Sequence, residues 1–185
     1  MRLPSLVGIA LAALVAGAAA LVYAEQGADK KPATAPEVLY DLNALPDPVK
    51  AMLEQIGNAA ATGEIEKMRP VLESNELKPM VAAAYIDDPI GHWKKESADG
   101  TGRDVLAAML DVLSSGFVLI GKGDAAMYVW PYFAETDITK LSPVQEVELY
   151  RVLPAADAIA MKKAGKYSAY KLGISPAGVW HYFLK

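Results

Sequence analysis

Few side chains in this sequence combine a reactive type with a partner at a useful spacing. There are two histidines, His92 in Gly91-His92-Trp93 and His181 between Trp180 and Tyr182. No His-x-x-x-His pair occurs, so no two imidazoles share a helix face as a metal pair. Either histidine could be a general base only beside a positioned partner, because geometry comes before pKa in such chemistry. Neither has a partner that the spacing reveals. Ser114-Ser115-Gly116 offers hydroxyl nucleophiles. A nucleophile elbow, however, holds its serine between glycines on a strand-to-helix turn. Here the serines end a helix and read as terminators. Glu96, Asp99 and Asp104 surround Gly100-Thr101-Gly102, and oxygen ligands in a glycine-bearing loop suit calcium. The spacing departs from the EF-hand pattern, and Asp104 reads as a helix-start residue. The pairs Gly100/Gly102 and Gly121/Gly123 lack the rest of a phosphate-binding Gly-x-Gly-x-x-Gly between strand and helix.

The aromatic residues carry more information. Tyr128, Trp130 and Tyr132 alternate, so they share one face if the strand continues through Pro131. Their rings supply apolar area with a polar tip, a surface able to stack on a sugar or grip a partner. These three are the candidate ligand-binding residues. The competing reading makes them the sheet side of the core. Glu135, Asp137, Glu146 and Glu148 follow, and paired carboxylates beside aromatics are the layout of glycoside-cleaving sites. Glu146 and Glu148 stand two apart on a predicted helix and so point to different faces. Surface charge is the better reading of them. No catalytic residue, metal ligand set or cofactor is assigned.

The elements that must position these groups follow from periodicity and caps. Asp47-Pro48 starts a helix with Val49, Met52, Leu53, Ile56 and Ala60 at helical spacing, and Gly63 is its stop. A shorter helix over Glu64 to Met68 should break near Arg69, because Pro70 removes a backbone donor. Asp88-Pro89 opens another over Ile90 to Lys95. Thr101 and Asp104 form a capping-box-like pair before the apolar helix of Val105 to Leu113, which Gly116 ends. The period then changes. Phe117 to Ile120 and Met127 to Trp130 read as strands around a Gly121-Lys122-Gly123-Asp124 turn. Ser142-Pro143-Val144-Gln145 is a capping box that opens a helix to Leu153. Ala155 to Lys163 makes a further helix. Lys166 to Ile174 and Val179 to Leu184 form a second hairpin about Ser175-Pro176-Ala177-Gly178. The terminal strand is apolar on both faces, which predicts a central or covered strand. Helices first and hairpins late predict an α+β fold: N-terminal helices packed on a C-terminal antiparallel sheet of about four strands.

The chain of 185 residues fits one domain after its leader. Arg2 precedes an uncharged run from Leu6 to Val22, and Val22-Tyr23-Ala24 ends in small residues before Glu25. That layout predicts a secretory signal over residues 1–24, cleaved after Ala24. Retention as an anchor is the alternative, because a spanning helix needs roughly 20 apolar residues. Either outcome sends the rest of the chain across the membrane. Residues 25–37 read as a polar linker, and residues 38–185 as a single domain. The exported part keeps all 22 acidic residues and loses only Arg2 from the 18 basic ones, so no nucleic-acid partner is expected. Cysteine is absent, which excludes thiol nucleophiles and disulfides; a core of this size needs no staples.

The stretch Met127-Tyr-Val-Trp-Pro-Tyr-Phe-Ala-Glu135, the segment Gln145-Glu-Val-Glu-Leu-Tyr-Arg151 and the ending Gly173-Ile-Ser-Pro-Ala-Gly-Val-Trp-His-Tyr-Phe183 resemble a group of uncharacterised exported proteins of alphaproteobacteria. The resemblance spans roughly the whole exported chain. It implies a periplasmic or envelope location, and it brings no activity or catalytic residue with it. The expected function is therefore a non-enzymatic binding or structural module with an envelope protein or glycan as partner. Membrane contact is expected only through an uncleaved N-terminus. The alternative is an envelope hydrolase acting on glycan or peptide, with carboxylates and His181 near the sheet.

Overall fold

The change of period near Gly116 marks the passage from the first four α-helices to the first strand. The computed structural model describes residues 35–185, which form one compact unit. The signal and most of the linker expected from the sequence lie outside the described residues. No helix among those described is long and apolar enough to cross a membrane. Six α-helices occur: α1 (Asp47–Ala61), α2 (Met68–Ser74), α3 (Pro89–Glu96), α4 (Arg103–Leu113), α5 (Pro143–Val152) and α6 (Ala155–Ala164). The strands β1 (Val118–Ile120), β2 (Met127–Trp130), β3 (Lys171–Ile174) and β4 (Trp180–Leu184) form one antiparallel sheet in sequence order. The predicted α+β class and the two late hairpins are present.

The helix starts show which sequence signals acted. Ser142 and Gln145 form the full capping box at α5, with Gln145 N–H donating to Ser142 Oγ at 3.3 Å and Ser142 N–H donating to Gln145 Oε1 at 2.9 Å. The pair expected at α4 does not form. Gly102 is the N-cap there, and Asp104 turns back to accept from Ala98 N–H at 2.9 Å and Ser97 Oγ–H at 2.5 Å. Asp104 therefore braces the preceding loop while also accepting from Val105 N–H, at 3.0 Å, in the first turn of α4. The third strand is also shorter than expected. It begins at Lys171 rather than Lys166, because Tyr167 instead turns inward and its hydroxyl donates to the Tyr170 carbonyl at 2.9 Å.

The sheet is covered on both faces. On the first face Phe117, Trp130, Leu172, Ile174, Trp180 and Phe183 pack with residues of α1 to α4. On the second face Val118 and Val129 pack with Tyr132, Phe133 and Ile138 and with Leu149 of α5 and Ala158 of α6. At Gly173 the two strands of the last hairpin leave no room for a side chain. A Cβ there would stand 2.3 Å from Cζ of Tyr182, whose ring lies over the glycine. The period-2 alternation of β2 thus feeds two cores rather than one core and solvent.

A single-residue bridge adjoins each edge of the sheet. Leu39 exchanges backbone hydrogen bonds with Phe117, at 2.8 and 2.9 Å. Met80 bridges beside β4, donating to the His181 carbonyl at 2.8 Å and accepting from Phe183 N–H at 2.9 Å. Asn75, only 8% exposed, continues that closure with its side chain. Its Nδ2 donates to the Trp180 carbonyl at 2.7 Å, and its Oδ1 accepts from Trp180 N–H at 2.9 Å. The last strand is therefore an edge strand that is covered, as its two apolar faces suggested. Covering removes the row of open donors and acceptors through which edge strands aggregate.

Candidate functional site

The three candidate aromatics do not share a face. Tyr128 and Trp130 lie on the first face, with ring centroids 6.4 Å apart and Phe117 4.8 Å from Trp130. Proline cannot donate to a sheet ladder, so the strand stops at Trp130, which a cis peptide bond joins to Pro131. The chain then enters a 3₁₀ turn over Tyr132–Glu135, and Tyr132 packs on Phe133 in the second core. Trp130 and Tyr132 are each 0% exposed, and Tyr128 is half-buried. In this arrangement Trp130 and Tyr132 offer no ring surface to an incoming ligand.

The carboxylates singled out by the sequence are mostly tied down. Asp99 accepts from Thr101 N–H at 2.8 Å, from the Thr101 hydroxyl and from Ser97 Oγ–H, which hold its carboxyl down at about 2. With Asp104 also bonded inward, the loop's oxygens serve the loop. Among the described residues no group of three His, Cys, Asp or Glu could hold a metal. Ser114 and Ser115 donate to the carbonyls of Asp111 and Val112, as helix terminators do. Asp137 pairs with Lys140 at 2.8 Å, and Glu146 pairs with Lys162 between α5 and α6.

Glu148 is the carboxylate that the surface-charge reading missed. It accepts from Gly116 N–H at 2.9 Å, from the Tyr40 hydroxyl at 2.9 Å and from the Tyr132 hydroxyl at 3.1 Å. Burial, with the charge of Glu148 next, raises the Tyr132 phenol well above its usual range. Both carboxylate oxygens are occupied by the protein. The cluster therefore fastens α5 to the end of α4 and to the chain entering the domain. Its only sequence signal is phase: the capping box at Ser142 sets α5 so that Glu148 adjoins the buried Leu149.

A different set of groups converges on open space. A cleft of about 590 Å³ lies at the end of the sheet where the β1–β2 and β3–β4 turns meet. Glu76, Asp124, Ser175 and His181 line it, with Leu77, Pro176 and Val179 as its apolar wall. These residues come from three segments far apart in sequence, so no spacing could have announced them. Among the described residues the side chains of Glu76, Asp124 and His181 have no hydrogen-bond or ion-pair partner. Ser175 is 9% exposed, and its Oγ accepts from Val179 N–H at 3.3 Å inside the turn. The size lies in the range of ligand pockets, roughly 300–1,000 Å³. His92, on α3, does not line this cleft and makes no side-chain hydrogen bond among the described residues. No protein-family model, curated protein or solved structure matches the chain.

Proposed function

We propose that this chain is exported and that residues 38–185 act in the cell envelope as a non-enzymatic binding domain whose site is the cleft at the turn end of the sheet. Export rests on the signal layout of residues 1–24, and the envelope setting on the resemblance of the three segments named above. The observation that carries the binding reading is the cleft itself. Glu76, Asp124 and His181 converge there with no internal partner, whereas Asp99, Asp104, Glu146 and Glu148 are satisfied within the protein. Carboxylates in a partly apolar cleft accept from N–H and O–H donors, and the wall of Leu77, Pro176 and Val179 takes an apolar body. An envelope peptide or glycan has both features.

A second reading, an envelope hydrolase, draws on one observation: a serine, a histidine and two carboxylates share the cleft. Nucleophilic catalysis needs base and nucleophile within hydrogen-bond reach. Ser175 Oγ is instead engaged by Val179 N–H, and no hydrogen bond joins Ser175, His181, Glu76 and Asp124. The binding reading is therefore the better supported.

The test begins with cells expressing the full chain, fractionated, with the mass of the recovered protein reporting cleavage after Ala24. Mass spectrometry then identifies peptides or glycans retained by the protein. The expected result is a specific retained species that Glu76→Gln and Asp124→Asn both deplete. Retention unaffected by both substitutions refutes the cleft as the site. Fluorophosphonate labelling that Ser175→Ala and His181→Ala each abolish would instead establish the hydrolase.

A further inference from the structure

The helix face that turns away from the sheet carries a residue with no internal explanation. Gly57 stands inside the 15-residue helix α1. Glycine weakens a helix interior relative to alanine, so it needs a reason. Gly173, Gly116 and Gly91 have one, since a Cβ at each would meet a side chain at 2.7 Å or less. At Gly57 a Cβ would meet nothing within 4 Å. The open space is an apolar groove of about 420 Å³ between the turn Leu42–Ala44, α1 and α4. Leu42, Leu53, Leu110 and Leu113 line it, with Leu42 46% and Leu110 36% exposed. Its charged groups are Lys50 and Glu54, one turn apart on α1 and opposite in sign. Lys50 pairs only with the exposed Asp47, at 2.8 Å, and Glu54 has no partner among the described residues.

We propose that this groove is the interface between two copies of the chain, with α1 packed antiparallel on the α1 of a second copy across a two-fold axis. A two-fold interface must be its own complement. A face with one base and one acid a turn apart meets that condition when reversed, because each Lys50 then faces the other copy's Glu54. That register sets Gly57 against the first turn of the second α1, where a missing Cβ lets the helix backbones approach. The four leucines bury one another, giving the apolar centre and charged rim of a protein interface. The chain carries a net charge of −4, which opposes association elsewhere on its surface, but this face is balanced. The proposal is independent of the ligand cleft, which lies at the turn end of the sheet.

The absence of cysteine makes the test clean. Full chains carrying Lys50→Cys or Glu54→Cys, with different tags, are expressed separately and together and treated with a short bismaleimide. Crosslinked pairs are expected in higher yield in the mixture, where the two introduced thiols face each other, than in either variant alone, where they are offset by about one helical turn. Sedimentation of the protein purified from such cells should show a dimer that Lys50→Glu weakens about ten-fold by like-charge contact. The double reversal, Lys50→Glu with Glu54→Lys, should restore it. Gly57→Ala should raise the melting temperature at concentrations where the chain is monomeric and should also weaken the dimer, a combination that a misfolded variant cannot give. A mixture without crosslinks, a monomer at every concentration, or Gly57→Ala leaving association unchanged overturns the proposal.

Discussion

The two faces of the sheet are held by different physics. The first face is closed by volume. Trp93 stacks on Trp180 with centroids 6.2 Å apart, Tyr170 stacks on Phe183 at 4.5 Å, and Phe117 packs on Trp130 at 4.8 Å. The helices over it present long apolar rows, such as Val49, Met52, Ile56, Ala59 and Ala60 on α1. The second face is closed by helices that each bury little. Leu149 is the buried residue of α5, and Ala158 that of α6. Polar ties make up the difference there, from Tyr40 and Tyr132 to Glu148 and from Lys162 to Glu146. A face rich in large side chains can be specified by packing alone. A face that buries one residue per helix needs directional bonds to fix where those helices sit.

The largest test of that contrast is Trp180→Ala. Its ring is 0% exposed and meets Trp93, and emptying such a site costs about 3–5 kcal/mol. Urea unfolding should show this loss with an unchanged transition slope. A loss under about 1 kcal/mol would mean that the first face tolerates a void, against the close packing of protein interiors.

A smaller effect is expected at Glu148. Glu148→Ala strands Gly116 N–H and the Tyr132 hydroxyl in a half-buried place, while the exposed Tyr40 hydroxyl turns to water, at a cost of about 1–3 kcal/mol. A double-mutant cycle with Tyr132→Phe should return a coupling of about 1 kcal/mol, because the two groups share one bond. Simple additivity in that cycle would show that the second face, too, rests on packing. If Glu148→Ala costs as much as Trp180→Ala, the distinction between the faces fails.

The same contrast explains what could be read from the sequence. Period and caps are local, so both hairpins, the Ser142 capping box and the stop at Gly63 were legible. Closure by one residue is not periodic, so nothing marked Met80 or Asn75 as the cover of β4. Tyr132 was misplaced because alternation was carried past a proline that ends the ladder. Asp104 has the type of a helix-start residue, but besides Val105 N–H it bonds backwards to Ser97 and Ala98, in a loop whose shape only the fold supplies. The cleft was the least legible feature: His181 was visible, while Asp124 reaches it through strand pairing and Glu76 through the Asn75 and Met80 ties to β4, none of which spacing records.

The smallest effects come with pH, and they should separate the faces at one end of the scale only. In acid the faces should behave alike. Asp99, in the loop before α4, is held at about 2 by its bonds to Thr101 and Ser97. Asp137, on the second-face side, is held at about 2 by Lys140 and Thr139. A carboxyl depressed in the folded state stabilises above its ordinary value, about 3.9, and that stability is lost as pH falls toward 2. Asp99→Asn and Asp137→Asn should therefore each flatten the decline between pH 4 and 2 by a similar, small amount. In alkali the faces diverge. Burial raises Tyr182 to about 12, and it raises Tyr132 and Tyr167 as well, all three packed in the second core. On the first face, Tyr170 is raised by burial too. A phenol raised in the folded state stabilises below its ordinary value near 10, and that stability is lost as pH climbs through the folded value. Hydrogen exchange across pH 10 to 12 should show amides of α5 and α6 losing protection before those of α1 and α4. The reverse order would place the alkali-sensitive contacts on the packed face and undo the comparison.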